Sequence, residues 1–427
     1  MPEDELIRPP GSPRISFLNS QFHRYLPDTS GLVRAACVFY LLHLLFQAKV
    51  AGLEIGAFFC LLCLGWAAAR REMRLSFHIL YFPLAVYGIA STTSALLASE
   101  QMKAFADGML WFKMLIFPGA VILFRQVPRL RELAIVAYAV FAATIATYGL
   151  YEFFLLDRRD LENRITGPAS HVMTLSGLLL PLALMFLFLW LHQRKWWQLT
   201  AGSLATITLL LTFTRSVWIG WTVAIVTLLI ATRARLVFYA LPLVIIFVTF
   251  LPLSLFGRLV STFDTRQLSN FDRIRMVEAG VEMIKDRPLL GVGPANVKST
   301  YSLYMRPDAP RPRPPHLHNN VVQIWAERGI LALCAYLLLL GLFLRECIRG
   351  WHGPGRMWAE IGIAAAISLT VAGLFEFNFG DTEVFYLLLN LFALVVVSLE
   401  RTRLSNEVPS GVVAGRTWGE PDVAALP

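Results

Sequence analysis

In the five residues His316-Leu317-His318-Asn319-Asn320, two imidazoles stand where the longest polar stretch of this 427-residue chain gives way to a new apolar run. Imidazole titrates near neutral pH, so a histidine at a water boundary is suited to take a proton from a hydroxyl. His318, followed by Asn319 at the start of the expected helix, reads as the base, with His316 and Asn319 as neighbours that touch substrate. Pro307, Pro310, Pro312, Pro314 and Pro315 hold the approach extended and deliver the histidines on a stiff lead.

Cations supply the complementary half of that chemistry. Arg215 sits in Thr212-Phe213-Thr214-Arg215-Ser216-Val217-Trp218 with apolar runs on both sides. A guanidinium there is costly unless it meets an anion or water, the bland alternative being a turn residue snorkelling beside Trp218. In the polar stretch, Ile274, Val277, Val281 and Ile284 recur at helical spacing, which predicts an amphipathic helix on or near a membrane surface. Arg273 and Arg275 open that helix, and one of them should face the cleft while the other is solvated; Arg275 is assigned to catalysis and Arg266 to substrate binding. Arg164, with Gly167 and His171 close behind, either contacts a phosphate or caps a helix. A candidate base and a cluster of cations therefore meet at one membrane face.

The elements that must position these residues are helices in a bilayer. Hydrophobic residues make up 56% of the chain, far above an ordinary globular protein, and the mean hydropathy is +0.58. Spans of about 20 apolar residues are expected near 32–48, 50–69, 75–98, 104–124, 130–156, 171–191, 196–213, 216–231, 236–256, 320–344, 358–377 and 384–400. The fold class is therefore an all-α integral membrane protein of about twelve transmembrane helices. The organisation is a tail over 1–31, helices over 32–256, a polar insert over 257–319, helices over 320–400 and a second tail over 401–427.

Lys and Arg are retained in cytoplasmic loops, and alternate loops carry Arg70, Arg71 and Arg74, then Arg125, Arg129 and Arg131, then Arg194 and Lys195, then Arg233 and Arg235, then Arg345, Arg349 and Arg356. Both tails are then cytoplasmic, and the insert, Arg215 and the acidic turn from Glu376 to Glu383 face outward. The N-terminal segment lacks a short apolar core with a cleavage site and is not expected to be a signal peptide. The formal charge of +9 belongs mostly to the cytoplasmic loops and gives no reason to expect nucleic acid, whereas basic surfaces attract membrane lipids.

Other motifs carry less. Cys60 and Cys63 form a CxxC spacing on an apolar helix, where small packing residues explain it, and no disulfide framework is implied. The turn Gly291-Val292-Gly293 lacks the strand before and helix after it that a dinucleotide loop needs. Asp381 and Glu383 have an acidic spacing, but two carboxylates in a short loop are more often solvated; no metal site and no cofactor are expected. Lys103 and Asp107 are spaced to pair on one helix, and Lys113 needs a partner elsewhere in the bundle.

Taken in order, these signals resemble the O-antigen ligase and polymerase superfamily of bacterial envelope glycosyltransferases. The family pattern of His, Asn or Ser, nine residues and Gly fits His318, Asn319 and Gly329, with Glu327 close by; Ala332 departs from the pattern's last position. The Thr-x-[Ser/Thr]-Arg element fits Thr212 to Arg215, and the Gly-rich turn fits Gly291 and Gly293.

The ligase branch looks closest. That resemblance implies transfer of a glycan from undecaprenyl diphosphate to a terminal sugar of lipid A-core, at the periplasmic face of the bacterial inner membrane. His318 would be the base, and Arg215 and Arg275 the diphosphate grip. One base and no evident carboxylate nucleophile make inversion the simpler course, and arginines in place of a metal imply independence from divalent ions. A polymerase of the same superfamily and a lipid-linked glycan flippase remain the alternatives, the latter expected to carry its cations deep along a path.

Overall fold

The computed structural model describes residues 29–407 except 99, 103, 105–109, 159, 161, 162, 170 and 233–265. The described residues fold into helices α1 (Gly31–Leu45), α2 (Val50–Ala69), α3 (Tyr81–Leu96), the short α4 (Leu110–Met114), α5 (Ile116–Gln126), α6 (Pro128–Leu155), α7 (Val172–Gln193), α8 (Trp196–Leu211), α9 (Arg215–Thr232), α10 (Leu268–Asp286), α11 (Val297–Tyr304), α12 (Asn320–Arg349), α13 (Arg356–Ala372) and α14 (Thr382–Glu407). Five stretches among them, α2, α6, α7, α12 and Thr382–Ser405 of α14, are long and apolar enough to cross a membrane. Gly31–Leu45 and Arg215–Ala231 are apolar but shorter.

The chain is thus a helical membrane protein, and particular spans depart from expectation. The run expected at 104–124 is interrupted at Leu115 between α4 and α5, and 75–98 contracts to Tyr81–Leu96. The expected span 236–256 and the pair Lys103 and Asp107 lie outside the described residues. Lys113 finds its partner on α2, with its Nζ 2.8 Å from Glu54 Oε1.

Two helices form the centre. The apolar windows of α7 and α14 are 89% buried, against 33% for α2, because neighbours pack around them on most sides. At 22 residues, α7 spans roughly 33 Å at 1.5 Å per residue, enough to join both ends of the bundle. At one end, Arg125 bonds bidentately to Glu400, Arg403 bonds to Glu346, and His192 meets Glu360. The loop carrying Arg164, the start of α9 and the start of α12 meet at the other end around one cleft.

The polar insert docks on α12 through a small core of its own, in which Met276, Ala279 and Met283 meet Leu317 and Ala326. The apolar stripe read from the sequence divides: Ile274 and Val281 are 40% and 38% exposed, while Ile284 packs against this core. The reason is space. A Cβ at Gly280 would lie 2.4 Å from Val322 Cγ1 and 2.7 Å from Leu317 Cδ1, so the face that approaches α12 must be lined with small or flexible residues. Ile274 and Val281 are left on an outward apolar stripe, as an interfacial helix requires.

A strap from Pro288 to Gly293 then ties α10 to a break in α12. Gly329 there has φ +78, and any Cβ would lie 1.9 Å from Leu289 O. Val292 N donates to Ala326 O at 2.8 Å, Gly293 N to Glu327 O at 2.9 Å and Ile330 N to Pro288 O at 3.0 Å. These bonds take up carbonyls and an amide that the helix break strands in the interior. The two glycine motifs are one joint.

Candidate functional site

The backbone brings His316 and His318 together before any side chain is considered. His318 has φ +52, a left-handed conformation uncommon outside glycine, at the last corner before α12. Asn319 caps that helix, accepting from Val322 N at 3.0 Å and donating to Leu374 O at 2.9 Å. Asn320 donates to Asn378 Oδ1 at 2.7 Å and accepts from Phe379 N at 3.2 Å, binding the start of α12 to the loop between α13 and α14. That loop carries Glu376.

Glu376 is the residue that the sequence reading missed, having been left in a solvated acidic turn. Its Oε2 lies 2.9 Å from Nδ1 of His318 and its Oε1 lies 3.3 Å from Nε2 of His316, with the two imidazole centroids 4.1 Å apart. Burial raises the pKa of this carboxyl, but the bond from His318 and the charges of His318, His316 and Arg273 outweigh it and hold the group at about 2.

An ionised carboxylate only accepts, so Nδ1 of His318 carries a proton toward it, and in the neutral imidazole the lone pair then lies on Nε2. His318 N donates to Nδ1 of His316 at 3.3 Å, which places the proton of His316 on Nε2, toward Glu376. Burial pushes the pKa of His316 down to about 4, so this second imidazole is a neutral brace near pH 7. Carboxylate, imidazole and open lone pair form the arrangement of an oriented general base.

The cations close the other side of a cleft of about 270 Å³ lined by Arg164, Arg215, Arg273, Arg311, His316 and His318. Arg215 begins α9 after a turn in which buried Phe213 has φ +54 and Thr214 N donates to Thr212 Oγ1 at 3.3 Å. Its guanidinium donates to Gln267 Oε1 at 2.6 Å, Ser269 Oγ at 3.0 Å and Asn270 Oδ1 at 2.7 Å, three neutral acceptors at the head of α10.

Arg164 is placed by Glu152, which is 3% exposed. Glu152 accepts from Arg158 Nη1 at 2.8 Å, Thr166 N at 2.8 Å and Gly167 N at 2.7 Å, and so folds the loop into the cleft. Nη1 of Arg164 is buried with no hydrogen-bond partner among the described residues. Burial and the charge of Arg273 lower the Arg164 pKa, while Glu376 acts in the opposite sense.

The insert contributes Arg273, not Arg275. Arg273 Nη2 stands 3.6 Å from Glu376 Oε2, and burial is the largest influence lowering its pKa, opposed by Glu376. Arg275, two residues on, turns away to Glu278 at 2.8 Å and to Asp308, and lies over Phe271 with 4.6 Å to the ring centroid. Residues two apart on a helix point about 200° from each other, so only one could enter the cleft. Arg266 is exposed and does not line it. Arg311 does, with Nε 3.0 Å from Asp272 Oδ2, and the sequence reading had not singled it out.

The chemistry available is proton removal at one wall and anion binding at the other. His316, His318 and Glu376 have ligand atoms within 4.8 Å of one another, the spacing of a possible metal cluster. Arg273 beside Glu376 and three further guanidiniums around the cleft oppose a cation there. Asp381, the other metal candidate of the sequence, accepts from Val384 N at 3.2 Å as a cap of α14 and from Thr174 Oγ1 of α7 at 2.5 Å.

Residues 200–337 match the family model described as O-antigen ligase. Arg215, Arg273, Arg311, His316 and His318 fall inside the matched segment, whereas Arg164 and Glu376 fall outside it. No curated protein matches the chain significantly.

Proposed function

With an O-antigen ligase family domain at residues 200–337 as premise, we propose that this chain is a membrane glycosyltransferase that moves a glycan from undecaprenyl diphosphate to a terminal sugar of lipid A-core. The observation that carries the reading is the 2.9 Å contact between Glu376 and His318 in a cleft walled by Arg164, Arg215 and Arg273. The acceptor hydroxyl gives its proton to Nε2 of His318 as its oxygen attacks the anomeric carbon. The bond from that carbon to the diphosphate breaks, and the leaving oxygen keeps the electron pair.

Arg215, Arg273 and Arg164 hold the diphosphate through charge-assisted bonds that strengthen as charge develops on the leaving group. Glu376 orients His318 and stabilises the imidazolium that forms. Direct displacement by the acceptor inverts the anomeric centre and requires no divalent ion. The positive-inside pattern supports a cleft that faces the periplasm, across the bilayer from the arginine-rich end.

The test is purified protein in lipid with both lipid substrates and no energy source. Glycan-extended lipid A-core is the expected product. A lengthened polyprenyl-linked glycan would make the chain a polymerase, and binding of donor with neither product would make it a transporter.

A further inference from the structure

At the far end of α6 and α7 from the His318 cleft lies a second cavity, of about 920 Å³. That volume is within the roughly 300–1,000 Å³ of small-ligand sites. Arg131, Lys195 and Arg401 line it, with Glu132 as the opposing charge. Among the described residues none of the three cations has a carboxylate within ion-pair distance, and Arg401 acts on Arg131 as a like charge.

Three residues that line this cavity each carry a buried polar atom with no hydrogen-bond partner among the described residues: Arg131 Nε, Gln198 Oε1 and Ser398 Oγ. Gln198 and Ser398 are each 1% exposed, too buried for bulk water to satisfy them. The amide nitrogen of Gln198 is already committed to Gln193 Oε1 at 2.8 Å, which leaves its oxygen as an unfilled acceptor beside the cavity. The set therefore offers donors and positive charge for an anion, and one acceptor for a hydroxyl beside it. Ile135, Val136, Trp197, Met357 and Trp358 form an apolar wall next to these groups, and Val136 is 50% exposed on the outer face of α6.

We propose that this cavity binds the headgroup of an anionic glycerophospholipid, its phosphate against Arg131, Lys195 and Arg401 and a headgroup hydroxyl at Gln198. The tryptophans and the open face of α6 take the start of the acyl chains, as expected for a molecule that enters from the bilayer rather than from water. Basic pockets between helices on a cytoplasmic face recognise lipid phosphates in this way. Occupancy ties the first turn of α6 to α8, α13 and the end of α14, well away from the transfer site.

The experiment is native mass spectrometry of the full chain released from detergent, titrated with phosphatidylglycerol and, separately, phosphatidylethanolamine of the same acyl composition. Phosphatidylglycerol should be retained at least about tenfold more strongly. Arg131→Gln should abolish that preference, and Ser398→Ala, which removes one hydroxyl from the cavity wall, should weaken phosphatidylglycerol retention by about threefold at unchanged melting temperature. Equal retention of the two lipids, or a preference that survives both substitutions, overturns the proposal. Displacement of bound lipid by equimolar soluble glycerol phosphate also overturns it, since the site would then read free phosphate rather than lipid.

Discussion

Glu376 Oε2 and His318 Nδ1 are 2.9 Å apart although 58 residues of chain separate them. The bond holds the imidazole by one nitrogen and leaves the other for the substrate. Glu376→Gln keeps the shape of the side chain and removes the charge that stabilises an imidazolium. Turnover should fall by roughly 10²–10⁴-fold with donor-lipid binding nearly unchanged. Initial rates at saturating donor and acceptor check this, and a variant within tenfold of wild type would remove Glu376 from the mechanism.

His318 sits at φ +52, so its replacement must tolerate the left-handed region. Asparagine does so better than alanine, which makes His318→Asn the cleaner probe: the fold should persist and transfer should fall below detection. His316→Ala leaves the base and its carboxylate in place and should cost about tenfold. If the two variants lose activity equally, the division of labour between the histidines is wrong.

Arg273 and Arg275 should separate sharply. Arg273→Ala removes a cation from the cleft and should reduce turnover by about 10–100-fold, the effect of one charge-assisted bond. Arg275→Ala breaks its contacts with Glu278 and Asp308 at the surface and should leave turnover within about threefold. Arg215→Lys should not rescue Arg215→Ala, because one ammonium cannot reach Gln267, Ser269 and Asn270 together in the fork that a guanidinium provides. Parallel kinetics on membranes matched for expression decide all four.

The pH dependence follows from the two shifted groups. Glu376 is depressed to about 2 from 4.5, so its contribution to stability is complete above about pH 4.5 and is lost as pH falls toward 2. His316 is depressed from 6.5 to about 4, so below pH 6.5 the unfolded chain binds a proton that the folded chain refuses. Stability should therefore decline as pH drops from 6.5 to 4, before Glu376 contributes. Thermal midpoints across that window should fall for the wild type and fall less for His316→Gln; identical slopes would show that another group governs the decline.

The site residues legible in the sequence were those whose type conflicted with their surroundings. Arg215 between apolar runs, the two histidines after a proline-stiffened lead, and Arg164 before a helix all line the cleft. What the sequence hid depended on pairing across long separations. Glu376 read as part of a wet acidic turn because His318 is 58 residues away, and Glu152 gave no sign that it folds the Arg164 loop.

The choice between Arg273 and Arg275 was invisible for a related reason, since it rests on Asp308 in a distant loop and on which face of α10 meets α12. Apolar periodicity marks Ile274 and Val281 on the outward face of α10, whereas the face that meets α12 is set by close approach at Gly280 and leaves no such periodicity. Helix type was plain from composition, but the break at Leu115 was passed over although Pro118 marks it, since proline has no amide to bond the Met114 carbonyl and its ring crowds that oxygen.

Gly280 gives the last prediction, on how the insert positions its arginine. Leucine there would force its Cβ within 2.4 Å of Val322 and 2.7 Å of Leu317, one residue from His318, and push α10 off the start of α12. Overpacking of this kind costs about 1–3 kcal/mol, enough to shift the helix without unfolding the bundle. Arg273 would then move away from Glu376, and the grip of Gln267, Ser269 and Asn270 on Arg215 would loosen with the same displacement. Gly280→Leu should therefore lose at least about tenfold in turnover although residue 280 touches neither substrate, and Gly280→Ala less. Smaller partners offer the check: Val322→Ala combined with Gly280→Ala should recover part of the activity relative to Gly280→Ala alone, because the closer of the two contacts has been removed, and absence of recovery would mean that α10 does not set the arginines by its distance from α12.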